Sequence, residues 1–160
     1  MLAAACGVSS AAADPVTIGW ADLRPADGGQ CDAAHVLMQM EKVCLQPADP
    51  MVVLRCGAQT IDLAQEPVRI AGYAHPLDMT FKGLTEFILM PPLAPCRHPP
   101  APMANQIIRV SSTVPIDVSF DPVFVTGVIR AELNVDGLTP IRYRMDVTKV
   151  EPALIPDVRP

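Results

Sequence analysis

Proline is spread through this chain so widely that long helices have almost nowhere to form. Eighteen of the 160 residues are proline. Each fixes its own φ, removes a backbone donor and pushes the preceding residue out of the helical region. One stretch escapes this. In residues 32–44, Ala33, Val36, Leu37, Met40, Val43 and Cys44 recur at helical spacing behind Asp32, a good N-cap. Pro47 and Pro50 then stop the pattern. Elsewhere Pro, Gly and Asp separate short apolar runs that read as strands. After a short strand at 16–18, the expected strands are 51–55, 58–63, 68–73, 85–90, 106–110, 115–120, 123–130 and 141–150. Gly127, inside the β-branched run Phe124-Val125-Thr126-Gly127-Val128-Ile129, marks a bulge or a sharp bend. One helix and this many short strands predict a single domain, residues 14–160, of mainly β class. The preferred architecture is a small closed or partly open barrel, an OB-like five-stranded Greek key, with a β-sandwich as the alternative. Such barrels serve many unrelated tasks, so the function must come from the site.

Composition narrows the partners. Half of the residues are apolar and 18% are charged, which excludes a disordered chain. A net charge of −5, with Lys42, Lys82 and Lys149 far apart, argues against nucleic acid, because phosphate binding needs clustered cations. No apolar run approaches the roughly 18 residues of a membrane span. Residues 1–13 carry no charge and end in Ala11-Ala12-Ala13 before Asp14, as the small-residue cleavage region of an export signal does. They read as the remnant of a longer signal peptide. Two outcomes compete: cleavage after Ala13, giving a free periplasmic protein, or lipid attachment at Cys6, giving an envelope-anchored one.

Export permits disulfides among Cys31, Cys44, Cys56 and Cys96. If 32–44 is helical, Cys31 and Cys44 stand about 20 Å apart at 1.5 Å per residue and cannot bond. A strand at 51–55 running back along the helix returns Cys56 to the level of Cys31. The expected disulfide is therefore Cys31 to Cys56, which leaves Cys96 a free thiol.

The most informative segment is Pro91-Pro92-Leu93-Ala94-Pro95-Cys96-Arg97-His98-Pro99-Pro100-Ala101-Pro102. Its prolines force an extended, stiff backbone close to polyproline II, which spaces Cys96 and His98 roughly 6 Å apart. Both side chains can then reach one metal ion. The sharp reading is a transition-metal site, zinc by preference, with His75 and Glu86, and also Asp78, as further ligands. The bland reading makes Cys96 structural and gives His98 the backbone groups that the prolines leave unpaired. A third reading is a thiol enzyme, with Cys96 as thiolate and His98 as base, although no orienting group or oxyanion hole is apparent. His75, before Pro76, is equally a turn histidine. Asn105 and Gln106 are expected to tie down the loop through side-chain to backbone bonds. Gly72 and Tyr73 read as a strand-end bend whose ring covers the barrel mouth, and Pro95, Pro99 and Pro100 stiffen the loop itself. The eight methionines are scattered and fill core space.

An ordered series of motifs carries a resemblance. Thr17 to Pro25, Gly72-Tyr73-Ala74-His75-Pro76-Leu77, Glu86-Phe87-Ile88-Leu89-Met90-Pro91, Cys96-Arg97-His98-Pro99-Pro100, Asn105-Gln106-Ile107-Ile108 and Val125-Thr126-Gly127 occur in that order. Over residues 17–150 the chain resembles the bacterial envelope family known as domain of unknown function 3299. That resemblance implies an exported protein or lipoprotein with no assigned activity, encoded near ABC-type transporter genes and in some bacteria in zinc-responsive clusters. The sequence departs from the family pattern at Leu93-Ala94-Pro95, at Ala101, and in the insert that holds Cys31, Cys44 and Cys56. Residue pattern and resemblance together lead to the expectation of a periplasmic or envelope-anchored accessory protein handling zinc beside an ABC-type transporter. The alternative is a structural or partner-binding module using the proline loop.

Overall fold

The computed structural model describes residues 14–25, 56–58, 66–78, 80–91, 103–134 and 141–157. Six strands form one sheet: β1 (Val16–Thr17), β2 (Pro67–Pro76), β3 (Leu84–Met90), β4 (Ile108–Ile116), β5 (Val123–Asn134) and β6 (Ile141–Pro152). The protein is mainly β, with 3-10 turns at Trp20–Leu23, Ala104–Gln106 and Ile155–Asp157. The expected helix at 32–44 and the strand at 51–55 lie outside the described residues, as do residues 1–13 and nearly all of 58–63.

The sheet order is β1-β2-β3-β4-β6-β5, and β2 also pairs with β5. Five strands, β2 to β6, therefore follow one another in a hydrogen-bonded circuit. All the ladders of that circuit are antiparallel except β4–β6, which is parallel from Ile108↔Tyr143 to Ser112↔Val147. β2 divides its length between neighbours. Residues 67–72 pair with β5, while Tyr73 to Pro76 pair with β3. The edge of β2 left beside Val68 and Arg69 is taken by β1, in parallel.

Alternation explains which face turns inward. Val68, Ile70 and Ala74 of β2, Phe87 and Leu89 of β3, Ile108 and Val110 of β4, Val125 and Ile129 of β5, and Tyr143 and Met145 of β6 form one buried cluster. Their neighbours in sequence, such as Arg69, Glu86, Arg109 and Arg144, are less buried and face outward. The N-terminal segment completes the core. Trp20 and Leu23 are fully buried, and the indole N–H of Trp20 donates to the Ala71 carbonyl at 2.8 Å. The Tyr143 hydroxyl donates to the Leu23 carbonyl at 3.3 Å.

Strands expected at 68–73, 85–90, 123–130 and 141–150 are present and run longer than expected. The bulge expected near Gly127 is also present. The β5–β6 register shifts between Thr126 and Gly127, where Thr148 is the extra residue, and its hydroxyl donates to the Thr126 carbonyl at 3.2 Å. Other expectations need correction. Residues 115–120 are not a separate strand, because β4 runs on to Ile116 and the chain then turns. The turn is held by one long-range and two local bonds: Asp117 accepts the Gly83 N–H, and Ser119 and Asp121 bond each other. Gln106 belongs to a 3-10 turn rather than to β4. Gly72-Tyr73 is not a strand end, since β2 continues to Pro76. Gly72 is needed where it stands because a β-carbon there would lie 2.9 Å from the Trp20 ring and 2.8 Å from the Met90 carbonyl oxygen.

Candidate functional site

The proline segment leaves the sheet at the end of β3, where Met90 pairs with Tyr73. It returns at Met103, which is buried. Cys96, His98, Pro95, Pro99 and Pro100 lie outside the described residues; the two roots of the segment lie within them. At the return root, Asn105 and Gln106 are 0% and 2% exposed. Asn105 Nδ2 donates to the carbonyls of Cys56 at 2.7 Å and Ala58 at 3.1 Å. Gln106 Nε2 donates to the carbonyls of Trp20 and Asn105, each at 3.1 Å. Both amides make side-chain to backbone bonds, and among the described residues those bonds reach Cys56–Ala58, Trp20 and Asn105, while the expected ties to the proline loop fall on residues outside the described ones. Their buried oxygens, Asn105 Oδ1 and Gln106 Oε1, have no hydrogen-bond partner among the described residues. Cys56 is fully buried and disulfide-bonded. Its partner cysteine lies outside the described residues, so the pairing with Cys31 stays an expectation.

The expected metal ligands on the sheet are His75 and Glu86. His75 is opposite Ile88 on β3, so His75 and Glu86 share the outer face as diagonal neighbours. Pro76, the last residue of β2, pairs with Phe87. Much of the His75 surface is open to solvent, yet desolvation lowers its pKa, and a neutral imidazole is the form that binds metals. Glu86 is already engaged. Its Oε2 accepts from Arg109 Nη2 at 2.9 Å, and this bond holds its pKa below the usual carboxylate value. Asp78 accepts from the Thr80 hydroxyl at 2.6 Å and the Thr80 N–H at 3.2 Å, which lowers its pKa as well. Among the described residues, no group of three or more His, Cys, Asp and Glu is placed to hold a metal ion.

Two features were not anticipated. The first is a row of arginines across the outer face, with Arg109 opposite Arg144 and Arg144 opposite Arg130. Directly opposed like charges destabilise a sheet. Here Glu86 neutralises one end of the row, and Asp146 bonds Arg130 and lies 3.7 Å from Arg144. The signal was present in the alternation of Arg142, Arg144 and Asp146, but only the parallel register brings Arg109 beside them. The second is the weight of the Trp20–Leu23 turn in the core, hidden because four residues are too few for periodicity.

The chain is thus a mainly β domain built on one six-stranded sheet, with two buried amides at the residues that follow the proline segment. The chain belongs to the family described as "Protein of unknown function (DUF3299)", whose model matches residues 20–152. It is similar in fold to the crystal structure of a DUF3299 family protein from Pseudomonas aeruginosa PAO1. That similarity has a TM-score of 0.59 and 24% identity, and covers 88% of this chain and 97% of that one. A search of curated proteins finds no match.

Among the described residues no helix is long and apolar enough to cross a membrane.

Proposed function

We propose that the chain is a non-catalytic binding module of the bacterial cell envelope, whose working surface is the proline segment 91–102 carried on an OB-type Greek-key barrel. The strand circuit supports the barrel. Its first strand pairs with the second and fourth, and the parallel ladder joins the third and fifth, as in that architecture. The interior is taken up by side chains, with Trp20, Phe87, Leu89 and Met145 all fully buried. Recognition then falls to the loops.

One observation carries the reading: the return root of the proline segment is pinned by two buried amides, Asn105 to Cys56–Ala58 and Gln106 to Trp20. A loop stiffened by proline and fixed where it rejoins the barrel loses little entropy on binding. The envelope location, free or anchored at Cys6, rests on the leader, and a transporter component as partner rests on the family resemblance.

A second reading, zinc held by Cys96 and His98 of the same loop, draws on His75. This imidazole has a lowered pKa and sits two residues from Tyr73, beside which the loop leaves the sheet. One experiment separates the two readings. A photoreactive residue at Ala101, with Glu132 on the barrel as control position, is cross-linked in cells with and without a zinc chelator. The expected result is a single dominant adduct from position 101, insensitive to chelator. In Pro99→Ala/Pro100→Ala it should fall roughly fourfold to thirtyfold, since each proline contributes about 0.4–1 kcal/mol of preorganisation. Loss on chelation transfers the function to zinc. Equal adducts from both positions, unchanged by the proline variants, contradict a working loop.

A further inference from the structure

The β4–β6 ladder ends at Ser112↔Val147, and both strands continue past that point, β4 to Ile116 and β6 to Pro152. Where they part, a cleft of about 390 Å³ opens, lined chiefly by Ile116, Val118, Pro122, Val123, Val150 and Pro152. Phe120, 84% exposed, stands beside it and packs against Phe81 with ring centroids 4.6 Å apart. Leu154, two residues beyond the lining residue Pro152, is 71% exposed. Apolar surface of this kind left open on a folded domain marks an interaction site.

The two strand edges facing the gap are not equivalent. The β4 edge is closed off, because Pro115 has no N–H, and the Ser112 hydroxyl both donates to the Val114 carbonyl and accepts its N–H. Beyond the bulge at Thr148, Lys149 to Pro152 of β6 pair with β5 alone, and among the described residues no strand takes their other edge. The charged groups lining the cleft are Asp117, Asp121 and Glu151, with no cation. Glu151 is paired with Lys149 at 2.8 Å. Among the described residues Asp117 accepts from the Gly83 N–H and Asp121 from the Ser119 hydroxyl, and neither has a cationic partner.

From this geometry we infer that the cleft takes an extended peptide, with alternating apolar residues and basic flanks, added as a strand to the free edge of β6. Backbone bonds to β6 would supply affinity, the apolar lining would take alternate side chains, and Asp117 and Asp121 would select cations. This goes beyond the proline-loop reading and does not depend on it, since the cleft and the loop are built from different residues.

The test uses the exported chain and a fluorescein-labelled peptide, Lys-Val-Thr-Val-Thr-Val-Lys, read by anisotropy. A second peptide with Glu in place of both Lys is the comparison. The expected result is a dissociation constant on the order of 10–100 µM for the basic peptide. It should weaken about tenfold in Phe120→Ser and in Asp121→Lys, and the basic peptide should shift the amides of residues 148–151. Both substitutions are at exposed positions and leave the core intact. Equal binding of the acidic peptide, no binding, or shifts confined to other strands overturns the inference. A concentration-dependent dimer abolished by Phe120→Ser would give the cleft to a second copy of the chain and overturn it as well.

Discussion

Trp20→Ala should cost about 3–5 kcal/mol, a large share of the roughly 5–15 kcal/mol that holds a domain of this size. The side chain is fully buried and is the only tryptophan in the chain. Its loss removes the largest apolar surface at the junction of β1, β2 and β3. It also leaves the Ala71 carbonyl without the indole donor that reaches it at 2.8 Å. The space cannot close easily, because Gly72 faces the ring and has no side chain to fill the void. At about 2–4 °C per kcal/mol the melting temperature should fall by roughly 6–20 °C. Trp20→Phe should recover most of this and retain a deficit of about 1 kcal/mol for the missing hydrogen bond. Urea unfolding followed by circular dichroism measures both. A loss below 1 kcal/mol for Trp20→Ala would mean that the N-terminal segment does not plug the gap between β1 and β3.

Gly127→Ala is the second large effect, and it acts by overpacking. A β-carbon at this position would collide with the Asp146 carbonyl oxygen and lie 2.9 Å from the Val147 α-carbon. Both obstacles are backbone of the paired strand, so no rotamer change relieves them. Either β6 shifts away or the bulge at Thr126/Gly127 is lost, and every inward side chain beyond Thr148 changes face. The expected cost is about 1–3 kcal/mol, and more if the ladder slips. Nuclear Overhauser contacts between Thr126 and Lys149 report the register directly. A variant as stable as the parent, with those contacts unchanged, would contradict the close approach of β5 and β6.

Legibility in the sequence follows what each residue can signal locally. The strands of the circuit were readable because Pro, Gly and Asp separate short apolar runs, some of them alternating with charge, as in Val68-Arg69-Ile70 and Arg144-Met145-Asp146. The bulge was readable because a glycine interrupts a β-branched run. Topology was not, since nothing local tells β4 to lie parallel to β6, and that pairing assembles the arginine row. Strand ends were misplaced at Tyr73 and Phe120, where tertiary contacts overrule local punctuation. Trp20 and its turn let β2 run on past Gly72, while Asp117, Ser119 and Asp121 draw the chain out of β4. Of the site, Asn105 and Gln106 bond backbone carbonyls through their side chains, at Cys56, Ala58 and Trp20, partners that spacing does not reveal. Glu86, read as a metal ligand, is a carboxylate whose partner Arg109 lies 23 residues away, a separation that spacing does not reveal.

The account depends on the five strands forming one circuit, because that circuit carries both the root of the proline segment and the length of β6 beyond its ladder with β4. The β2–β5 ladder, Pro67↔Val128 to Gly72↔Val123, is the pairing that closes them. Native-state hydrogen exchange at the hydrogen-bonded amides of that ladder measures it directly. The prediction is protection equal to that of the β5–β6 ladder, with exchange only on global unfolding. Exchange of the β2–β5 amides at the rate of exposed strand edges, while β5–β6 stays protected, would show an open sheet and contradict the closed scaffold.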